Sequence, residues 1–216
     1  MRSYDQYCGL AKALDTIGDR WTLLIVRELL SNGPSRYSDL LHGLPGIATN
    51  LLADRLRTLE TAGVITREEP TPPVATPLFA LTEWGMQLRP VLMALGAWAG
   101  PTLGSSRGKT FRSHWLMLPV ETYVIDRAPS QRPVKVELRT GERPMVLETT
   151  GTGTVRVRAA RTGETFATAL EGAPELIIGL LAGRIAPATA RARGLRIEGD
   201  SKVLSRFGGT VNAGAA

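Results

Sequence analysis

The sequence predicts an α+β protein in which a helix-rich N-terminal domain precedes a domain of strands and helices. Apolar residues recur at helical spacing through most of the first hundred residues. Beyond residue 114, short alternating stretches such as Val155-Arg156-Val157-Arg158 predict strands, and an apolar helical segment follows them. Residues 101–113, rich in Gly, Ser and basic residues, predict a linker. We therefore expect domains over residues 1–100 and 114–207, and a disordered tail over residues 208–216.

Composition favours a globular protein of the cytoplasm. The chain has 216 residues, of which 43% are hydrophobic and 21% charged, which is sufficient for two cores. Apolar runs stay well short of the roughly 18 residues of a membrane helix, and the first residues lack an apolar signal segment. The single cysteine, Cys8, cannot form an internal disulfide, which fits a reducing compartment. We predict a cytoplasmic location and no membrane partner.

The net charge of +6 is unevenly distributed. Residues 1–100 contain nine Lys and Arg against ten Asp and Glu, whereas residues 101–216 contain seventeen against ten. The positive excess therefore lies outside the first hundred residues. Because solvated Arg-rich surfaces are common, composition alone does not predict nucleic-acid binding.

Periodicity and capping residues predict the first helices. The apolar residues of the first segment are Leu10, Ala13, Leu14 and Ile17. Asp19 is the predicted N-cap of a helix over residues 20–30 that is apolar almost all round and hence central. A short helix over residues 38–43 follows, with Ser38 as its predicted N-cap.

A longer helix is predicted from Thr49 to about Ala62, with Gly63 closing it. Its buried stripe consists of Leu52, Leu56 and Leu59. Strands are predicted over residues 64–67 and 78–81, on either side of a proline-rich loop. Thr82 is the predicted N-cap of a last helix that continues to about Ala99.

This order of elements is that of a winged helix-turn-helix, in which one helix projects from the core and enters the DNA major groove. Asn and Arg on the helix from Thr49 are suited to reading base edges, while Arg36 and Arg67 are placed to bind phosphates. The predicted DNA-binding residues are Arg36, Ser38, Thr49, Asn50, Asp54, Arg55, Arg57 and Arg67. Alternatively, Arg55 and Arg57 are ion partners of Asp54 and Glu60 on a solvated helix face.

Two stretches of the chain resemble the HxlR family of winged-helix regulators. They are Gly-Asp-Arg-Trp-Thr-Leu-Leu-Ile from residue 18 and Leu-Arg-Thr-Leu-Glu-Thr-Ala-Gly from residue 56. The resemblance covers about residues 7–100. It implies a homodimer on a near-palindromic operator in double-stranded DNA, with the helix from Thr49 as reader and the first and last helices as the dimer interface. The predicted dimerisation residues are Leu10, Leu14, Trp84, Leu88, Val91, Leu95 and Trp98, of which the last five have heptad-like spacing. Alternatively, that face packs on its own domain.

The chain departs from the family pattern in three places. Ala48 stands where the family has a Ser or Thr cap, so Thr49 is expected to cap the reading helix instead. The wing carries Glu68 and Glu69 and lacks a basic residue after its proline pair, which argues against contact of the wing tip with the minor groove. Cys8 stands where redox-sensing members keep a reactive cysteine, but Gly9 replaces their proline. A buried structural cysteine is the alternative.

The second domain is predicted to place strands over residues 134–138, 145–148 and 155–158 before a helix opened by Pro174. A short helix over residues 187–193 and a strand within residues 194–200 follow. Residues 169–207 resemble the C-terminal half of the sterol-carrier-protein-2 fold, and the resemblance extended over about residues 115–207 implies a site for an apolar small-molecule effector. The predicted pocket residues are Trp115, Leu118, Val136, Leu138, Phe166, Leu176, Ile177, Leu180 and Leu181. Alternatively, this domain is a platform that only widens the dimer.

Catalysis, a cofactor and a metal site are not expected. His42 and His114 lie in different domains, a second cysteine is lacking, and no Gly-rich phosphate loop precedes a helix. The leading hypothesis is a dimeric, ligand-responsive transcriptional regulator, with repression as the expected sign. One alternative is a lipid or small-molecule carrier whose winged helix only dimerises, which the near-neutral first hundred residues favour. Another is a thiol switch through Cys8.

Overall fold

The computed structural model describes residues 3–68 and 76–210, and the chain divides into two compact units, Met1–Leu92 and Met93–Ala216. The division falls inside the last helix of the first unit and not in residues 101–113. Within the described ranges, none of the helices is both long and apolar enough to cross a membrane.

The first unit is a winged helix-turn-helix, as the order of elements predicts. Its elements are helices α1 (Gly9–Ile17), α2 (Thr22–Asn32), α3 (Tyr37–Gly43) and α4 (Thr49–Thr61), strands β1 (Ile65–Glu68) and β2 (Leu78–Leu81), and helices α5 (Glu83–Met86) and α6 (Leu88–Ala99), the last of which continues into the second unit. β1 and β2 pair antiparallel, with Ile65 opposite Leu81, and Ser35 bridges to Phe79 at the base of this wing. The core includes Ile25, Leu29, Leu40, Leu52 and Leu59.

The predicted N-caps Asp19 and Ser38 are wrong, because other groups accept the backbone N–H groups at the starts of α2 and α3. Helix α2 begins at Thr22, whose N–H donates to the backbone carbonyl of Asp19 at 3.2 Å, while the Asp19 carboxylate pairs with Arg55. Helix α3 begins at Tyr37, before the predicted cap Ser38. The Asp39 carboxylate, inside the first turn of α3, accepts the backbone N–H that precedes the helix, at 3.1 Å.

Helix α4 begins at Thr49 as predicted, but Thr49 does not cap it. Ala48 is the N-cap and supplies no side-chain acceptor. The backbone carbonyl of Thr49 instead accepts the Tyr37 hydroxyl at 2.6 Å, which ties α4 to α3. At the other end Gly63 adopts a φ of 73°, the left-handed conformation that glycine provides at a helix end.

The single helix predicted from Thr82 to Ala99 is interrupted. Thr82 is the predicted cap, and its hydroxyl accepts the Gly85 N–H at 3.0 Å. The helix is broken at Gln87 between α5 and α6. Pro90 explains the break, because its ring removes one N–H and clashes with the carbonyl four residues before it.

The second unit contains both helices and sheet, in agreement with the α+β prediction. Short 3₁₀ turns span Gly100–Thr102, Ser113–Leu116 and Ser201–Arg206, and the regular elements are α7 (Met117–Tyr123), β3 (Val124–Asp126), β4 (Lys135–Arg139), β5 (Met145–Thr149), β6 (Val155–Ala159), β7 (Thr168–Glu171), α8 (Pro174–Leu181), α9 (Pro187–Ala192), β8 (Arg196–Gly199) and β9 (Phe207–Gly209). Five strands form one sheet in the order β6-β5-β4-β7-β8, in which only β4 and β7 are parallel among the described strands. β3 and β9 form a separate antiparallel ribbon.

Both ends of this unit are more ordered than the sequence predicts. Gly208 and Gly209, assigned to a disordered tail, pair with β3, and Gly208 is buried, so that part of the prediction is wrong. Residues 211–216 lie outside the described residues. In the predicted linker, the Ser106 N–H donates to the Glu175 carboxylate at 3.2 Å. Ser113 is buried, and its hydroxyl donates to the Thr140 carbonyl at 2.7 Å.

A buried ion pair fastens the β3–β9 ribbon. Arg206 donates from Nε to Asp126 Oδ1 at 2.7 Å and from Nη2 to Oδ2 at 2.8 Å. Its Nη1 donates to the Arg132 carbonyl at 2.6 Å. Both side chains are buried. The hydrogen bonds from Arg206 hold the pKa of Asp126 below its usual value.

Candidate nucleic-acid interface

Helix α4 presents a polar face because its opposite face is anchored in the core. Leu52, Leu56 and Leu59 are buried at the spacing of one helical stripe. The predicted DNA-binding residues of α4 are exposed in four cases, Thr49, Asn50, Asp54 and Arg57, whereas Arg55 is half-buried. The structure therefore brings most of the predicted reading residues together on one exposed surface.

Asn50 and Arg57 are the residues of this face best suited to reading bases. The Asn50 side-chain carbonyl accepts the Leu51 N–H at 2.9 Å, and its NH₂ group has no hydrogen bond to the described residues. Arg57 forms an ion pair with Asp54, one turn earlier, and 74% of its side chain is exposed. An ion pair this exposed contributes little free energy, so Arg57 can exchange Asp54 for DNA at small cost.

Arg55 has different surroundings. Its guanidinium forms an ion pair with Asp19 in the loop between α1 and α2, and only 23% of its side chain is exposed. Its Nε is buried and has no acceptor among the described residues. The sequence prediction for Arg55 considered DNA, Asp54 and Glu60 as partners and missed Asp19.

A groove of about 390 Å³ lies between α4 and the wing. Its walls are largely apolar, and Arg57 from α4 and Arg67 from β1 both line it. The full lining is Tyr37, Ala53, Leu56, Arg57, Glu60, Arg67, Thr76, Pro77 and Phe79. Arg36 and Ser38, at the start of α3, are exposed, as is Glu68 at the end of β1. Glu69 and the proline-rich part of the wing loop lie outside the described residues.

The predicted dimerisation face is largely solvent-exposed within a single chain. Leu10, Leu14, Trp84, Val91, Leu95 and Trp98 are all exposed, Trp98 by 82%. Only Leu88, which is half-buried, fits the alternative of packing on its own domain. The break at Gln87 separates Trp84, on α5, from the other aromatic and aliphatic residues of the face on α6.

Cys8 is exposed at the N-terminus of α1, so the alternative of a buried structural cysteine is wrong. The backbone N–H groups of Ala11 and Leu10 hydrogen-bond to its sulfur and lower the pKa of the thiol.

The residues predicted to form an effector pocket lie in and around the core of the second unit. Val136, Leu138, Leu176, Ile177, Leu180 and Leu181 are buried, while Trp115, Leu118 and Phe166 are half-buried. None of the nine lines either the groove beside α4 or a second, open cavity of about 490 Å³ around residues 137–144. In the parts of the chain that the structure describes, no cluster of His, Cys, Asp and Glu could hold a metal ion.

Comparison with known proteins places residues 16–106 in the HxlR-like helix-turn-helix family. The chain is 39% identical over 89 residues to YvaP of Bacillus subtilis, an uncharacterized HTH-type transcriptional regulator, a match that covers 41% of this chain and 81% of YvaP. It is 38% identical over 90 residues to sll1512 of Synechocystis, which has the same description; this match covers 41% of this chain and 64% of sll1512.

A further relative is YodB of B. subtilis, an HTH-type transcriptional regulator. It is 34% identical over 91 residues, and the match covers 42% of this chain and 80% of YodB. Most of Met93–Ala216 lies beyond the family match. Through its winged helix-turn-helix, the chain belongs to the HxlR-like family of helix-turn-helix transcriptional regulators.

Proposed function

We propose that the chain is a dimeric, sequence-specific DNA-binding regulator, with repression as the expected sign, that reads its operator with α4. The observation that carries this proposal is the α4 surface, on which Asn50 and Arg57 are exposed opposite a buried leucine stripe. Asn suits bidentate contact with adenine and Arg suits guanine. Two copies related by a two-fold axis read half-sites about one helical turn apart.

Phosphate contacts come from cations on either side of α4. Arg36 at the start of α3 and Arg67 on the wing strand are exposed, with no ion pair to the described residues. The first hundred residues carry slightly more negative than positive charge, so a few placed cations, rather than overall attraction, provide the affinity.

The dimer is proposed to form through the exposed apolar residues of α1 and α6. Leu10 and Leu14 on α1, and Val91, Leu95 and Trp98 on α6, present large apolar side chains to solvent in one chain. Covering such residues with a second copy removes them from water.

We further propose that the second unit binds an apolar small molecule and thereby regulates the DNA-binding unit. The resemblance of residues 169–207 to the sterol-carrier-protein-2 fold supports this proposal. A coupling free energy of about 1–3 kcal/mol between effector and operator is sufficient for release. The alternative, a platform without a ligand, predicts that apolar ligands leave operator affinity unchanged.

The test of α4 as reader compares Asn50→Ala and Arg57→Ala with the wild type on a duplex from upstream of the chain's own gene. Each substitution is expected to weaken specific binding by about 10- to 100-fold, since a bidentate base contact is worth about 1–3 kcal/mol. Binding is measured by fluorescence anisotropy, and size-exclusion chromatography with light scattering checks that the dimer is intact.

The matched control is Arg193→Ala, which removes an exposed arginine in the second unit. It is expected to bind the duplex within about twofold of the wild type. Wild-type affinity in both Asn50→Ala and Arg57→Ala contradicts the assignment of α4 as the reading helix.

Thiol switching is a second candidate function, favoured by the exposure of Cys8 and the lowered pKa of its thiol. A larger thiolate fraction at neutral pH makes the sulfur more reactive. Because each chain has one cysteine, oxidation either links two chains or caps the thiol with a small molecule. Cys8 precedes Leu10 of the apolar α1 face, so either product alters the dimer interface.

Cys8→Ser tests this candidate. Treatment with the thiol oxidant diamide and glutathione is expected to weaken wild-type DNA binding by about tenfold or more, because a glutathione attached to Cys8 at the interface opposes dimer formation. Cys8→Ser is expected to bind equally with and without oxidant. An identical oxidant response in both proteins contradicts thiol switching through Cys8, and reversal by dithiothreitol separates a switch from irreversible damage.

A further inference from the structure

The loop between α1 and α2, residues 18–21, has an unusual backbone and contacts the region of α4. Its Gly18 N–H ends α1 by donating to the Leu14 carbonyl at 2.9 Å. Trp21, at the start of α2, has a φ of 81°, which is costly for a bulky residue. Such a conformation persists only where surrounding contacts hold it.

One contact of this loop is the ion pair from Asp19 to Arg55 of α4. The pair uses one nitrogen on the end edge of the guanidinium, because Nη1 binds Asp19, and the side edge includes Nε, which is buried. Each of the two edges that could read a guanine is therefore partly buried or partly occupied. Arg55 is therefore directed toward its own domain, whereas its neighbour Arg57 is directed toward solvent.

The Trp21 ring also lies near the turn that precedes α4. A Cβ atom placed on Gly46 would lie 3.9 Å from Cη2 of Trp21. Gly46 has a φ of 91°, so this turn depends on glycine. The loop thus lies near the chain before α4 and forms an ion pair with a residue of α4.

We propose that Asp19 and Arg55 are positioning residues that fix the orientation of α4 for reading DNA, and that neither reads DNA itself. This inference rests on the proposed function. Because the loop continues directly from α1, which carries Leu10 and Leu14, the ion pair joins the dimerisation helix to the reading helix.

A double-mutant cycle on the full chain tests the proposal. The variants are Asp19→Asn, Arg55→Met and the double variant, measured on the same upstream duplex and on duplexes with single base-pair changes. Asp19→Asn and Arg55→Met are each expected to weaken binding about twofold to fivefold, as expected for a partly exposed pair. The double variant is expected to bind the duplex no more weakly than the single variant with the lower affinity, because both substitutions break the same ion pair.

The direction of the Asp19→Asn effect separates positioning from simple charge repulsion. Removing a carboxylate near DNA raises affinity if only repulsion from phosphates matters. Glu60→Gln, at an exposed carboxylate on α4 itself, is the matched control and is expected to maintain or raise affinity. The preference among base-pair variants is expected to stay unchanged in Asp19→Asn and Arg55→Met, and Arg55→Lys is expected to recover part of the affinity.

Other results overturn the proposal. If Arg55→Met loses its preference at one base pair while Asp19→Asn binds like the wild type, Arg55 is itself a reader. Additive losses in the double variant likewise contradict positioning through one ion pair. If the wild type shows no salt-dependent binding to the duplex, the proposed function fails and this inference fails with it. If the wild type binds normally but the double-mutant cycle on Asp19 and Arg55 gives either of the two contradicting results, only this inference is overturned.

Discussion

Leu95→Glu is expected to convert the dimer to monomers and to weaken operator binding by about 100-fold or more. Leu95 is an exposed apolar residue of α6, between Val91 and Trp98, which are also exposed. In a two-fold dimer the substitution places a carboxylate from each copy within one apolar interface. An uncompensated charge in such an interface costs several kcal/mol, and a monomer retains only one half-site.

Analytical ultracentrifugation at micromolar concentration measures the first effect, and anisotropy on the upstream duplex measures the second. Leu103→Glu, the same substitution at an exposed leucine beyond α6, is the matched control and is expected to remain dimeric. A Leu95→Glu protein that is dimeric and binds normally rules out α6 as the dimer interface.

Arg206→Leu is expected to lower the free energy of unfolding by about 3–5 kcal/mol, because it leaves the Asp126 carboxylate buried without its partner. It also removes the donor to the Arg132 carbonyl. Urea unfolding followed by circular dichroism measures the loss. The double variant Asp126→Leu/Arg206→Leu is expected to recover much of it, since an apolar pair replaces a buried ion pair at little cost. Wild-type stability in Arg206→Leu excludes this ion pair as a main support of the ribbon.

The same ion pair predicts a pH dependence. The folded-state pKa of Asp126 lies below its usual value because Arg206 hydrogen-bonds to the carboxylate. The contribution of the ion pair to the free energy of unfolding is therefore complete above the ordinary aspartate pKa of about 4. It is lost as the pH falls through the lowered folded-state pKa of Asp126. The difference in the free energy of unfolding between the wild type and Arg206→Leu is therefore expected to be smaller in acid. Urea titrations of both proteins at about pH 7 and about pH 3 measure this change.

Local sequence signals predicted the helices and the wing of the first unit. The stripe of Leu52, Leu56 and Leu59, followed by Gly63, specifies a helix, its buried face and its end without reference to the rest of the chain. The same stripe predicted which side of α4 faces solvent. The break at Gln87 was also visible in principle, because Pro90 cannot continue a regular helix.

Features that depend on distant partners could not be predicted. Aspartate is a residue type that favours N-cap positions, but the carboxylate of Asp19 pairs with Arg55. Only the folded chain brings Arg55 close to Asp19. Asp126 and Arg206 are 80 residues apart, and nothing near either one indicates an ion pair. β9 contains two glycines and shows no alternation, so only its pairing with β3 makes it a strand.

The central claim is that α4 reads DNA, and the most direct measurement is the salt dependence of wild-type binding to the upstream duplex and to an unrelated duplex. We expect tighter binding to the upstream duplex at every salt concentration. The logarithm of affinity is expected to fall linearly with the logarithm of salt concentration, by about 0.9 for each phosphate contacted. We further expect Asn50→Ala and Arg57→Ala to abolish the preference between the two duplexes. Equal affinity of the wild type for both, or no binding at low salt, contradicts the claim.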